Sequence, residues 1–265
     1  MRYFYSRAEL AQMASLIVGD LLEGRQKQEP YTESSVQNYK IGSRLVTPDG
    51  LVWHYGRADA VGVSQTYRRR GVVSAIIDYN YKILAAAPSG STQIVIDDTA
   101  ARAKDYWAGG HASIFPLPGY LNDQPRMIKS STPGNGTSVT LTLYYPIHYA
   151  LKVDDDVYCV QSPYSEIREA ISADSKGYNM ALGWTYIPVT PLYYAWVHTW
   201  GICQSVHTGT KMGEDAGDRD VYFNYNDGTV YSGMAATFGH CQRIGTIIPD
   251  TALGERPYFL LQLDP

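Results

Sequence analysis

The side chains of this chain that could do chemistry are four acidic groupings, six histidines, three cysteines and one arginine run. Asp97-Asp98 follow the apolar run Ile94-Val95-Ile96 and read as a turn at a strand end. Asp154-Asp155-Asp156 gathers the hard oxygens that calcium takes. It lacks the alternating ligands and distal Glu of an EF-hand, so a solvated turn is expected. The segment from Gly213 through Glu214, Asp215 and Asp218 to Asp220 reads as a loop tip of the same kind, and Asp49 in Pro48-Asp49-Gly50 as a turn residue. His54, His111, His148, His198, His207 and His240 stand singly, at no spacing that builds a metal site. No metal and no cofactor are therefore expected. The chain has no G-x-S-x-G elbow, no H-E-x-x-H, no phosphate loop and no dinucleotide fingerprint. No catalytic residue is assigned. Cys159, Cys203 and Cys241 are odd in number and widely spaced, which predicts buried free thiols rather than a disulfide framework.

Arg68-Arg69-Arg70 is the one basic run. Its guanidinium forks suit carboxylates on a partner, while a solvated turn is the preferred reading of so short a run. Asn135-Gly136-Thr137 has the pattern of a glycosylation sequon, which carries no weight without a secretory leader. The densest aromatic stretch is Tyr193-Tyr194-Ala195-Trp196-Val197-His198-Thr199-Trp200-Gly201. Strand alternation puts Tyr194, Trp196 and His198 on one face. That face is either a stacking platform for sugars or bases or a core strand, and the core assignment is preferred.

The elements that must position these residues fall into two blocks. Residues 6–24 read as a helix. Ser6 and Glu9 form a capping box, and Leu10, Met13, Ala14, Ile17 and Leu21 make an apolar stripe. A lone stripe needs cover, from its own domain or from a neighbouring subunit through Leu10, Met13, Ile17 and Leu21. Residues 25–40 are polar and read as an extended arm. From residue 41 the signal is β. Pro48-Asp49-Gly50, Pro88-Ser89-Gly90, Pro133-Gly134-Asn135-Gly136 and Asn226-Asp227-Gly228 punctuate short β-branched and aromatic runs. The clearest strand is 138–144, with Val139, Leu141 and Leu143 on one side. Residues 157–160 then read as its return after the Asp154–Asp156 turn. Further strands are expected at 51–55, 92–96, 192–200, 221–225, 243–248 and 257–263, and a short helix or turn in 164–175. Val139, Leu141, Leu143, Trp196, Trp200 and Leu261 should be buried. The expected fold is mainly β: an antiparallel β-sandwich or small barrel, preceded by one N-terminal amphipathic helix and an extended arm. The division is 1–40 and 41–265, the latter with room for two subdomains split near 165–190.

Composition narrows the function classes. The chain has 265 residues, of which 45% are hydrophobic, so general disorder is excluded. Tyrosine is abundant at 23 against 5 Phe, and charge is sparse at 18%, which suits broad, weakly charged contact faces. A net charge of -4 speaks against nucleic acid as the main partner. No apolar run reaches the length of a spanning helix, and the first residues lack the apolar core of a leader, so no membrane association is expected.

The order of several segments resembles a family of tailed-bacteriophage virion structural proteins known from environmental phages. The matching segments are Asp49-Gly50-Leu51-Val52-Trp53-His54-Tyr55, Leu141-Thr142-Leu143-Tyr144-Tyr145-Pro146-Ile147-His148-Tyr149-Ala150-Leu151 and Ser162-Pro163-Tyr164. They continue with Tyr193-Tyr194-Ala195-Trp196-Val197-His198-Thr199-Trp200-Gly201, Ile244-Gly245 and Arg256-Pro257-Tyr258-Phe259-Leu260-Leu261. Tyr67-Arg68-Arg69-Arg70 stands where the family has a small-residue stretch. The resemblance implies a virion structural role on the capsid surface and no catalytic residues. A cement or decoration protein is expected, bridging major capsid protein subunits as a homo-oligomer, with a trimer favoured. Leu10, Met13, Ile17, Leu21, Arg68, Arg69 and Arg70 are the candidate interface. A head-fibre, tail or adhesin component binding a host-surface glycan is the alternative.

Overall fold

The computed structural model describes residues 28–64, 71–74, 76, 78–116, 123–170, 180–207, 212–213, 219–224, 227–232, 242–248 and 256–264. Among them, β-strands are joined by turns, with one 3-10 turn at Pro163–Ser165. The helix expected at 6–24 lies outside the described residues. In chain order the strands are β1 (Arg44–Val46), β2 (Val52–Arg57), β3 (Gly71–Ser74), β4 (Asp78–Lys82), β5 (Gln93–Ile96), β6 (His111–Phe115), β7 (Gln124–Ser131) and β8 (Val139–Leu143). They continue as β9 (Asp156–Val160), β10 (Ile167–Glu169), β11 (Ala181–Trp184), β12 (Tyr194–Gln204), β13 (Asp220–Phe223), β14 (Val230–Ser232), β15 (Arg243–Ile247) and β16 (Tyr258–Gln262). The fold is mainly β, as the alternating patterns require, in two curled antiparallel sheets shaped as half-barrels.

The six-stranded sheet has the order β4-β9-β6-β7-β8-β5 and is drawn from residues 78–160 alone. Its two edges meet just beyond β4. Ile83 bridges Ile96, Leu84 N–H donates to Val95 O at 2.9 Å, and Asp97 N–H donates to Lys82 O at 3.0 Å. Curling hides the edges, which would otherwise offer unpaired backbone groups to another chain. Ile94, Ile96, Ile114, Ile128, Val139, Leu141, Val157 and Trp107 fill the interior. Val139, Leu141 and Leu143 are buried as their period predicts. The pairing of 138–144 with 157–160 is corrected, because β8 pairs with β5 and β7 while β9 pairs with β4 and β6.

The ten-stranded sheet runs β10-β3-β11-β12-β16-β15-β13-β14, with β2 and β1 joined to β12. β3 and β10 are hydrogen-bonded neighbours, Ile167 facing Ser74. The chain thus leaves this sheet after β3, builds the six-stranded sheet, and returns beside its point of departure. The segment read as a short helix or turn resolves into the 3-10 turn and β10 as far as Ala170; 171–179 lies outside the described residues.

β12 is the longest strand and the centre of the large sheet, pairing with β2, β11 and β16. A bulge between His198 and Trp200 divides it. Cys203 lies five positions after His198, so in a regular strand they would face opposite ways. Here both reach one group: Tyr186 OH lies 2.8 Å from His198 Nδ1 and 3.6 Å from Cys203 Sγ. The extra residue has therefore reversed the alternation. Gly201 follows at a φ of +112°, and a Cβ there would sit 2.6 Å from Leu51 Cδ2, so only glycine fits. The consequence is a correction to the expected core: Trp196 and Leu261 are buried, but Trp200 is only half-buried.

Candidate functional site

The first half of β12 carries a layer of aromatic rings. Trp196, Trp53 and Tyr55 are buried, with Tyr39, Tyr186 and Tyr194 around them. Trp196 stands opposite Tyr55, and His198 opposite Trp53, whose rings lie 4.8 Å apart. The layer is sealed by the chain before β1, the polar stretch read as an arm. From Gln28 on, that stretch is bonded to its own sheet. Gln28 Oε1 accepts from Tyr55 OH at 2.7 Å and from Asn38 Nδ2 at 3.0 Å. Gln28 Nε2 donates to Tyr194 O at 2.8 Å, and Gln28 O accepts from Trp196 Nε1 at 2.9 Å. Ser34 and Tyr194 exchange a pair of backbone bonds, and Thr190 donates twice to Glu33. A buried amide with every polar atom matched is stable only in this one arrangement. The aromatic stretch is thus core at Trp196 and His198.

His198 is fully buried and both ring nitrogens are engaged. Nε2 meets Trp200 O at 2.8 Å and so carries the proton, while Nδ1 accepts from Tyr186 OH. Burial pushes its pKa down to about 4, against the partial support of the Trp200 carbonyl. It is held neutral, with no free nitrogen for a substrate. His54 is similarly committed. Its Nε2 lies 2.9 Å from Asp264 Oδ2 and its Nδ1 3.1 Å from Gly42 O, and its ring stacks on Tyr164. Burial opposes ionisation of Asp264, but the bonds from Arg44 and His54 outweigh it and hold its pKa below the ordinary value.

The second half of β12 turns one face towards solvent, with Ile202 exposed on it. Ile202 is 52% exposed, Ile248 50% and Tyr258 48%. Ile202 lies directly opposite Leu260, Tyr258 is opposite Gln204, and Ile248 N–H donates to Tyr258 O. With half-buried Trp200 and Leu260 these side chains form a continuous apolar stripe across neighbouring strands. Arg243 and Asp220, paired at 2.7 Å, stand at its rim. Sequence patterning missed this face, because only the bulge turns Trp200 and Ile202 outward.

The residues singled out in the sequence are otherwise used by the fold. Asp98 is buried and accepts from Trp107 Nε1 at 3.1 Å and Arg102 Nε at 3.2 Å, and Asp97 accepts from Lys82 N–H at 2.6 Å. Arg102 lies over the Tyr106 ring at 4.4 Å and the Tyr79 ring at 5.0 Å, so that cage holds the chain's own cation. Asp155 accepts from Lys152 N–H and Asp156 pairs with Lys82, which makes this grouping a braced turn. Asn135 Oδ1 caps its turn through Thr137 and Ser138 N–H. Cys159 and Cys203 are buried thiols outside any disulfide, and burial pushes the Cys159 thiol up. Leu10, Met13, Ile17, Leu21, Arg68, Arg69 and Arg70 lie outside the described residues, as do Cys241, His240 and residues 214–218. Among the described residues no His, Cys, Asp or Glu cluster could hold a metal, and no helix is long and apolar enough to cross a membrane.

A cleft of about 350 Å³ opens where the stretch before β1 meets the six-stranded sheet. Lys40, Gln37 and Ser43 line one side, and Lys129, Ser130 and Tyr144 the other. Its lining comes from separate stretches around Lys40, Asp105, Lys129 and Tyr144 that form no motif, so sequence reading could not find it. No family model, curated protein or solved structure matches this chain.

Proposed function

We propose that the protein is a structural component of a tailed-phage virion, a cement or decoration protein that works by assembly. The observation carrying this reading is the apolar stripe of Ile202, Tyr258 and Ile248 on an otherwise charge-poor surface. Covering a large apolar side chain stabilises by about 1.5–3 kcal/mol, and less when it is already half-buried. Association costs on the order of 4–15 kcal/mol in lost freedom. One such stripe is therefore a weak contact, which becomes strong when several copies engage at once. A closed oligomer on a repeating shell supplies that multiplicity, and a trimer at three-fold positions matches lattice symmetry. The partners are a second copy of this chain and the major capsid protein. The segment-order resemblance supports the same assignment, and no catalytic step belongs to it.

A second reading, a fibre or adhesin component, is favoured by one feature. Tyr144, Tyr145 and Tyr149 are exposed, Tyr145 by 72%, on a loop that is firmly held. Gln124 Oε1 accepts from His148 and Tyr149 N–H, Arg126 Nε donates to Pro146 O, and Ile147 is buried beneath. Rigid outward tyrosines suit carbohydrate stacking. Quantitative mass spectrometry of purified particles separates the two. A copy number comparable to the major capsid protein is expected for cement. A few copies per particle would favour a fibre, and absence from the particle would overturn both.

A further inference from the structure

We infer that the cleft between the stretch before β1 and the six-stranded sheet binds an acidic saccharide: one or two sugar rings bearing a carboxylate or sulfate. Three kinds of group converge there. Lys40 and Lys129 bring two ammonium groups from opposite walls, and neither has an ion pair among the described residues. The one carboxylate in the lining, Asp105, accepts from Ser131 N–H on β7 at 3.1 Å and keeps its negative charge. Two lysines against this one carboxylate leave the lining with a single excess positive charge, on a chain whose overall charge is -4. An anion entering between the two walls would be attracted by both lysines.

The remaining lining selects the kind of anion. The Ser43 and Ser130 hydroxyls have no hydrogen bond among the described residues, so each can donate to and accept from a ligand hydroxyl. Tyr144 presents an exposed ring at the mouth that stacks on no other aromatic. Ammonium, hydroxyl and a single aromatic face together match a charged pyranose. A polynucleotide would need a longer basic track than two lysines. The walls are fixed relative to each other. A Cβ on Gly109 would lie 3.1 Å from Ile41 O, so the two sides touch beneath the cleft, and Gly109 N–H donates to Ile128 O at 2.9 Å. A held cavity binds without first being ordered.

This inference stands apart from the assembly reading, and it names the ligand class that the adhesin reading would need. The test is calorimetric titration of the full chain with digalacturonate, N-acetylneuraminic acid and glucosamine 6-sulfate, with neutral lactose alongside. At least one acidic sugar is expected to bind, weakening with salt, while lactose does not. Binding should fall about tenfold or more in the double variant Lys40→Gln and Lys129→Gln, and in Tyr144→Ala. These side chains are exposed, so the variants should melt at the wild-type temperature, and a thermal scan checks this. Failure of all three acids to bind overturns the inference. So does binding that survives the lysine substitutions, or inorganic sulfate and acetate binding as tightly as the sugars. A null titration leaves the particle copy number untouched, so failure here is distinguishable from failure of the assembly reading.

Discussion

The two halves of β12 share one backbone and differ in what covers them. Before the bulge, Trp196 and His198 lie under the Gln28–Lys40 stretch, whose polar groups are matched to the sheet. After it, Ile202 and Tyr258 are about half exposed, beside the half-buried Trp200 and Leu260. The sheet offers large apolar side chains in both halves. The difference is where the described chain supplies its own cover and where it leaves apolar side chains exposed, the face proposed above for assembly. Substitutions in the covered half should therefore act on folding, and those on the exposed face of the second half on association.

The largest effect is expected at Trp196→Ala. It removes a buried indole and leaves the Gln28 carbonyl without its donor, so urea unfolding should show a loss of about 3–5 kcal/mol. Next comes pH. His198 titrates at about 4 when folded and near 6.5 when unfolded. The unfolded chain takes the proton first, so stability is full above pH 6.5 and declines as pH falls towards 4. The decline is worth roughly 3 kcal/mol. Asp264, also depressed, adds a further loss at lower pH, below the ordinary aspartate value. Unfolding measured across this range checks the slope, and His198→Gln should flatten its upper part. Gln28→Ala should cost about 1–3 kcal/mol, because it strands Tyr55 OH and the Asn38 amide without moving the core. Ile202→Lys should change stability by less than about 0.5 kcal/mol, since the side chain is already half in water. A large loss there would remove the contrast between the halves.

How much of this was legible in the sequence follows from how local each cause is. Val139, Leu141 and Leu143 announce their strand because a period of two is carried by the residues themselves. The strands expected around 192–200, 221–225, 243–248 and 257–263 are present as β12, β13, β15 and β16. The partner of 157–160 was not legible, because Tyr158 pairs with Asn80 and Ser113 across long separations while the nearer 139–143 pairs elsewhere. The outward turn of Trp200 was hidden because one extra residue in β12 reverses the alternation and Thr199 does not announce a bulge. The polar stretch from Gln28 read as an arm because composition cannot show that Gln28 is matched bond for bond by Tyr55, Tyr194 and Trp196. The cleft needed the fold itself, since Lys40 and Lys129 meet only across two elements.

The most direct test of the central claim is sedimentation of the purified chain beside the double variant Ile202→Lys and Tyr258→Lys. The wild type is expected to associate reversibly as concentration rises, as a weak contact does, and the variant to remain a folded monomer of 29.5 kDa. A wild type that remains monomeric, or a variant that assembles equally well, would contradict the assignment of the second half of β12 as the assembly face.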